Sequence, residues 1–291
     1  PEVAIFIDSE IWPNMIKNLN KKQIPIILLN ARFTKSSFKK WMIIKSFGKE
    51  IFSKISIALP QNTETKNYLK ILGIKKIITA GNIKYYGEKI LLNNKNSKLF
   101  EQLKKFKIFC AGSTHNTEEI LISKLHIELK KNLPNLITVI IPRHINRSEN
   151  IINDLNKFNL NVVKHSTKQN ISKKTDVYLV DTFGEAKNFY NLSNIAFLGG
   201  SILNHGGQNP LEAARLGNYI INGPNIGNFT EIYNYLKINK ISYTTSKVLK
   251  MKDIVLSKIK KKVPLSKRKK IFDNGNKILD NNISIIEKYI Q

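Results

Sequence analysis

Short apolar runs that alternate with amphipathic helical patterns constrain this chain more than any other feature. "VAIFI", "IPIILLN" and "ISIAL" carry apolar residues at consecutive positions, as do strands buried on both faces. Between and after them lie "WPNMIKNLNKK", a long basic helical stretch and "TETKNYLKILG", and then the apolar "KIITAG". Helices inserted between such strands predict βαβ units around a parallel sheet. A lysine-rich polar stretch follows, and the alternation resumes with "KIFCAGS", "EEILISKLHIELKKN", "LITVIIPR", "ENIINDLNKFN", "NVVKH", "DVYLVD", "EAKNFYNL", "NIAFLGG", "NPLEAARLG", "YIINGP" and "TEIYNYLKI". The expected organisation is an α/β chain of two Rossmann-like domains, residues 1–86 and 108–266, joined by a linker over 87–107 and closed by a C-terminal helix over 267–291. Pro1 falls where a strand is already under way, which predicts a segment upstream of it.

Composition narrows the partners. With 48 Lys and Arg against 21 Asp and Glu, the net charge of +27 sets up a field that attracts polyanions. Nucleic acid, anionic membrane and phosphorylated ligands are all admissible, while the joint excess of Lys, Ile and Asn is also what an AT-rich genome imposes on its proteins. The lone Cys110 excludes an intrachain disulfide framework and a cysteine zinc cluster, and is expected as a small buried residue. The longest apolar runs, such as "IPIILL" and "LITVII", fall far short of the ~18 residues of a membrane span.

In an open parallel sheet, ligands bind where the carboxyl ends of strands lead into helices. The stretch "GGSILNHGGQNPLEAARLGNYIINGP" holds six of the chain's 14 glycines at such a place. Asn209 is suited to cap a helix, Pro210 to stand at its first position, and Glu212 to complete a capping box. Glycines before a helix start let backbone N–H groups approach an anion closely; equally, they serve as turns and Glu212 as a cap. Further strand ends carry Ser113, Thr114 and His115 in "CAGSTH", Arg143 and His144 in "IIPRH", and Asp181, Gly184 and Glu185 in "VDTFGE". A guanidinium at Arg143 suits a phosphate. In the first domain, Asp8 and Glu10 of "FIDSEIWPN" stand at a strand end, as acid/base groups or as caps. "LNARFTKSSFKKW" joins Arg32, Lys35, Lys39 and Lys40 with Phe33, Phe38 and Trp41, either a phosphorylated-lipid or nucleic-acid surface or a solvated helix with its apolar side packed.

Nine ordered segments, "DSEIWPN", "NARFTKSSFKKW", "TAGNIKYY", "AGSTHNTEE", "IPRH", "DTFGE", "FLGGS", "GGQNPLEAARLG" and "GPNIGNFTEI", resemble the 3-deoxy-D-manno-octulosonic acid (Kdo) transferases of lipid A biosynthesis, glycosyltransferase family 30. The resemblance implies the GT-B fold, in which two Rossmann-like domains with parallel sheets face a cleft, here with an incomplete N-terminal domain. It implies inverting transfer of Kdo from the donor CMP-Kdo to a lipid A precursor (lipid IVA) at the cytoplasmic face of the bacterial inner membrane. No metal and no cofactor are expected, and no nucleic-acid partner. Pro142, Arg143, Phe183, Gly184, Glu185, Asn209, Pro210, Leu211 and Glu212 would contact CMP, with Ser113 and Arg32 as further substrate-binding residues. Asp8 and Lys84 of "GNIK" would stabilise the transition state. Asp8 stands where the family usually has Glu, and Glu10 is available to share its role. Gln208 replaces a usual His and Phe183 a usual Met. The family's general base, a Glu of a Gly-Glu motif, lies upstream of Pro1, so the chain by itself is expected to bind nucleotide without catalysing transfer. Another GT-B nucleotide-sugar transferase and a basic RNA-binding protein remain the alternatives.

Overall fold

The computed structural model describes residues 1–87 and 97–290. The residues up to Gly87, together with those from Phe272 onward, form one compact unit; the described residues between them, ending at Ile271, form the other.

In the first unit, β1 (Ala4–Ile7), β2 (Ile26–Ala31) and β3 (Ile57–Pro60) make a parallel sheet in that order. The helices are α1 (Pro13–Lys21), α2 (Lys35–Ile43), α3 (Lys45–Phe52) and α4 (Thr63–Ile71). Local chemistry sets their starts: Pro13 opens α1, Thr34 Oγ1 accepts from Ser37 N to cap α2, and Asn62 Oδ1 accepts from Thr65 N to cap α4. The long basic helix expected from sequence is broken at Ile44, whose φ and ψ of −108° and 46° are not helical. The break lets both halves reach one core, where Trp41 meets Phe52 edge-on at 5.0 Å. "KIITAG", expected as a strand, makes only a single parallel bridge, Ile77 to Ala58.

β2 and β3 are apolar on both faces because both are covered, whereas β1, expected to be buried on both faces, leaves Ile5 and Ile7 exposed. Ile26, Leu28 and Ala58 belong to the core that also holds Ile16, Ile51 and Leu69 of the helices. Ile27, Ile57 and Leu59 face the other way, against Ile285, Ile286 and Tyr289. Those residues come from the C-terminal helix α12 (Leu265–Ile286) and the turn after it. The helix packs tightly on the strand-end loop, since a Cβ at Gly275 would lie 2.1 Å from the Tyr85 carbonyl oxygen.

The second unit contains α5 (Ser97–Leu103), β4 (Lys107–Thr114), α6 (Glu118–Lys130), β5 (Leu136–Pro142), α7 (Ser148–Asn156), β6 (Val162–Lys164), β7 (Val177–Leu179), α8 (Ala186–Leu192), β8 (Ile195–Leu198), α9 (Leu211–Arg215), β9 (Tyr219–Asn222), α10 (Thr230–Ile238), β10 (Ser242–Thr244) and α11 (Val248–Lys258). Its seven strands are all parallel, in the order β10-β9-β8-β4-β5-β7-β6. The chain moves outward from β4 to β5 on one side and from β8 to β9 on the other, so the strand order reverses between β4 and β8. A reversal of this kind opens a crevice at the carboxyl ends of the two strands. Helix α5 and the pair β10 and α11 are absent from the sequence expectation; part of the expected linker, residues 88–96, lies outside the described residues.

A polar network ties the outer side of this sheet to α6. Asp176 accepts hydrogen bonds from Lys130 Nζ at 2.9 Å and from Asn161 N and Nδ2 at 3.1 and 3.2 Å, with His126 Nε2 3.5 Å away. Burial alone would raise its pKa, but these contacts outweigh it and hold the carboxyl below the ordinary range. A depressed carboxyl contributes stability above its unfolded pKa and loses it as the pH falls through the folded value. Asp176→Asn should therefore cost about 2 kcal/mol in urea unfolding at neutral pH, and the gap to wild type should narrow below about pH 4. A gap that is constant across that range would contradict the assignment.

Candidate active site

The glycine-rich stretch folds as a loop between β8 and α9, and the anion it surrounds is part of the protein. Glu118, the first residue of α6, is fully buried. Its Oε2 accepts from Gly200 N at 2.8 Å and His115 N at 2.9 Å, and its Oε1 from Ser201 N at 3.1 Å and Ile202 N at 3.0 Å. A buried carboxylate is tolerated only when its lone pairs are satisfied, and four backbone donors satisfy them. The expectation that these particular N–H groups cradle a ligand phosphate is thereby corrected, because they are already engaged. Gly199 permits the approach, since a Cβ there would fall 2.3 Å from the Ser113 carbonyl oxygen and 2.7 Å from Glu118 Oε2. Farther along the loop, Gly207 N donates to Gly200 O, Asn228 N to Gly206 O, and the Tyr233 hydroxyl to Gln208 O at 2.8 Å.

Around this clamp, the strand ends place the residues singled out from sequence. Ser113 is the bulged residue at the end of β4, where the register with β5 shifts; its φ of 53° is left-handed, as is the 74° of Thr117. Two non-glycine residues held in that region within five positions are a local strain that the surrounding hydrogen bonds sustain. At the end of β5, Pro142 is buried and Arg143 is exposed, its N–H donating to Thr114 O at 3.0 Å. In the loop after β7, Phe183 is 76% exposed, Gly184 has a φ of 83°, and Glu185 Oε2 accepts from Asn188 Nδ2 at 2.8 Å. Asp181 is bound by Ser166 N and Oγ at 2.9 and 2.6 Å, which ties it to the next loop. All four loops stand at carboxyl ends of the adjacent strands β8, β4, β5 and β7.

The start of α9 is nearly as expected. Asn209 Oδ1 accepts from Leu211 N at 3.0 Å, but the helix begins one residue later than expected, at Leu211, so that buried Pro210 and not Asn209 stands in the N-cap position. The helix is five residues long, little more than one turn, so its dipole adds little to anion attraction. Glu212 accepts no hydrogen bond from the described residues. Burial pushes its carboxyl pKa up, opposed by the charges of Lys187 and Arg215. It is a half-buried acceptor open to a ligand's hydroxyl groups.

In the first unit, two residues far apart in sequence meet. Lys84 Nζ lies 3.0 Å from Asp8 Oδ2, and Asn30 Nδ2 donates to Asp8 Oδ1 at 2.6 Å. Asn30 Oδ1 in turn accepts from Ile83 N at 3.1 Å, so a nearly fully buried amide holds both the acid and the turn that carries Lys84. Asp8 and Asn30 both adopt left-handed φ, at 58° and 51°, a conformation that Asp and Asn tolerate better than most residues. Glu10 is exposed and engaged by Trp12 Nε1 at 3.0 Å, so it does not join the Lys84 pair. Arg32 is half-buried beside this site, its N–H donating to Asp8 O at 3.1 Å. The aromatic residues of the same segment turn inward: Phe33 is buried and Phe38 stacks on Tyr68 at 4.2 Å. Its lysines 35, 39 and 40 are exposed, as are Thr34 and Ser36.

Sequence reasoning missed Glu118 and Asn30. Glu118 reads as an ordinary acidic residue at a helix start, and its partners at Gly200 to Ile202 are more than 80 positions away.

Parallel α/β units with loops gathered at a strand-order reversal define the fold of GT-B glycosyltransferases. The solved trehalose-6-phosphate synthase OtsA shares it, with a TM-score of 0.59 over 99% of this chain and 72% of that one at 12% identity. Within that class, the chain belongs to the 3-deoxy-D-manno-octulosonic acid transferase family. Residues 1–86 match the family described as 3-deoxy-D-manno-octulosonic-acid transferase (kdotransferase). The transferase of that name from Rickettsia bellii is 32% identical over 297 aligned residues, covering all of this chain and 69% of its own length. The one from Rickettsia felis is 33% identical over 294, again across the whole chain but 62% of its own, so this chain spans about three fifths of that relative. The crystal structure of the C-terminal CMP-Kdo binding domain of WaaA from Acinetobacter baumannii matches 63% of this chain and 95% of its own, at 27% identity and a TM-score of 0.54.

Glu118→Gln turns one buried acceptor into a donor that faces backbone N–H groups. It should lower unfolding stability by about 3 kcal/mol. Gly199→Ala should also lower the melting temperature, because the two nearest atoms a Cβ would meet, Ser113 O and Thr114 Cα, are backbone and cannot yield. Retention of the wild-type melting temperature in either variant would refute the clamp.

Proposed function

We propose that the intact protein transfers Kdo from CMP-Kdo to a lipid A precursor in lipopolysaccharide biosynthesis, with inversion and without a metal or cofactor. The observation that carries the reading is the Asp8–Lys84 pair: two residues 76 positions apart, from separate motifs that family resemblance gives one role, lie 3.0 Å from each other. In this reading the second unit holds the donor. Arg143, exposed at the end of β5, neutralises the phosphate, and the loop Phe183 to Glu185 together with Asn209, Pro210, Leu211 and Glu212 encloses the nucleotide. Glu212 accepts from hydroxyl groups. Ser113, on its strained bulge, lines the same strand ends.

The chemical step is a displacement at the anomeric carbon. A carboxylate takes the proton of the acceptor's sugar hydroxyl, the oxygen bonds to the anomeric carbon, and CMP departs with the electron pair of the broken bond. A guanidinium on the departing phosphate and an ammonium near the reacting centre lower the cost of the charge that develops. Asp8 and Asn30 hold the Lys84 ammonium in place for this. The acceptor is lipid IVA, presented at the cytoplasmic face of the inner membrane. Arg32 with Lys35, Lys39 and Lys40 meets its phosphates and the anionic headgroups around it. No helix among the described residues is long and apolar enough to cross a membrane, and the reading assigns this part of the protein a peripheral place on that surface.

Calorimetric titration with CMP, with UMP as control, tests the donor site. The chain should bind CMP in preference to UMP, and Arg143→Ala should weaken CMP by at least about tenfold; unchanged affinity would sink the assignment of the phosphate. In a transfer assay with CMP-Kdo and lipid IVA, on a form extended upstream to the length of its relatives, Lys84→Ala should cut kcat by about a hundredfold while CMP affinity holds. A variant that keeps its kcat would remove Lys84 from the chemistry.

A further inference from the structure

Three histidines from three different loops converge at the strand-order reversal, and no role described so far uses them. His115 follows β4, His144 follows Arg143 after β5, and His205 lies in the glycine loop after β8. The His115 and His205 rings stack, 4.6 Å between centroids and 23° between planes, and His144 meets His115 edge-on at 6.0 Å. His115 is the anchored member. Its Nδ1 lies 3.1 Å from the Ser113 carbonyl oxygen and 3.9 Å from Glu118 Oε2, and its side chain is 13% exposed. His144 and His205 are exposed on either side of it.

The titratable groups that face His115 are Glu118 beneath it on α6 and the imidazoles of His205 and His144 from the two neighbouring loops. Burial holds its pKa below the ordinary histidine value, Glu118 opposes that, and the two other imidazoles add to it. In the free protein, His115 is therefore packed against the two other rings where charging it is disfavoured. An anion placed among them would reverse that preference, because each ring carries an N–H donor and gains a second on protonation.

The chemistry of the donor says which anion. Kdo is an ulosonic acid, so its anomeric carbon bears a carboxylate as well as the oxygen that joins it to the phosphate of CMP. A group that reads the carboxylate must then lie beside the group that holds the phosphate, and His144 is the residue next to Arg143. Resting on the reading that the second unit holds CMP-Kdo, we propose that His115, His144 and His205 form the subsite for the sugar carboxylate of the donor, and that filling it draws a proton into the cluster. It would select sugar acids over neutral sugars and, through the backbone bond from His115 N to Glu118, join donor binding to the glycine loop.

The test is calorimetric titration of the whole chain with CMP-Kdo at pH 6 and pH 8, and with CMP at pH 8, where its phosphate is fully ionised. Because binding takes up a proton, affinity for CMP-Kdo should fall by about tenfold as the pH rises from 6 to 8. His115→Gln should abolish that dependence and bind CMP-Kdo about tenfold more weakly than wild type at pH 6. His205→Gln, at an exposed ring whose loss does not threaten folding, should halve the dependence or remove it. CMP titrated into the same variants reads the nucleotide half of the site alone. Donor affinity that ignores pH, or that both variants leave intact, would overturn the carboxylate subsite and leave the nucleotide assignment standing. An equal loss for CMP and CMP-Kdo would overturn it too, since the cluster would then be reading phosphate. Folded wild-type protein that binds neither ligand would remove both the donor reading and the inference.

Discussion

The carboxylate of Glu118 is the constraint around which the strand-end loops of the second unit are organised. An ionised carboxylate out of reach of water costs several kcal/mol unless donors surround it. Here the donors are four backbone N–H groups from two different strand ends. The arrangement works in both directions: the charge needs the loop, and the charge in turn ties the first residues of the glycine-rich loop to α6. Gly199 and Gly200 follow from it, the first because Glu118 and the β4 backbone leave no room for a Cβ, the second because its φ of 64° turns three successive N–H groups toward the carboxylate.

The first unit uses the same economy on a smaller scale. Asn30, almost entirely buried, spends its amide donor on Asp8 and its carbonyl on the turn before Lys84, so one side chain sets the geometry of an ion pair contributed by two strand-end segments. An exposed Lys–Asp pair contributes little to stability, and this one is only about two thirds buried. What the pair fixes is position, since it holds the Lys84 ammonium against Asp8 at the strand ends. Both units therefore spend polar contacts at strand ends, and both accept left-handed backbone at Asp8, Asn30, Ser113 and Thr117 to do so.

Much of this was legible in the sequence. The alternation of apolar runs and helical patterns located β1 to β9, since strands covered on both faces by helices must be apolar throughout. Strand-end loops containing Arg143, the residues from Phe183 to Glu185 and the Asn209 cap were picked out because parallel sheets bind ligands at carboxyl ends. Less legible were elements whose sequence lacks that contrast. β10 is a three-residue edge strand, "SYT", and α5 lies in a stretch whose lysine and asparagine content reads as linker. The single helix expected over the basic stretch became two, because tertiary packing of Trp41 against Phe52 outweighs continuous helical propensity.

By itself the sequence determined the alternation of strands and helices, and hence the fold class and the loops that carry polar groups, because these depend on hydrophobic periodicity and local capping. It could not determine what those polar groups bind. That Asp8 pairs with Lys84 and not Glu10, that Glu118 consumes the N–H groups of the glycine loop, and that three histidines from separate motifs share one place were decided by tertiary structure alone. The physical reason is that a charge is settled by whatever opposite charge or donor lies within a few ångströms, and in a parallel α/β fold those neighbours come from strands whose order in space is not their order in the chain.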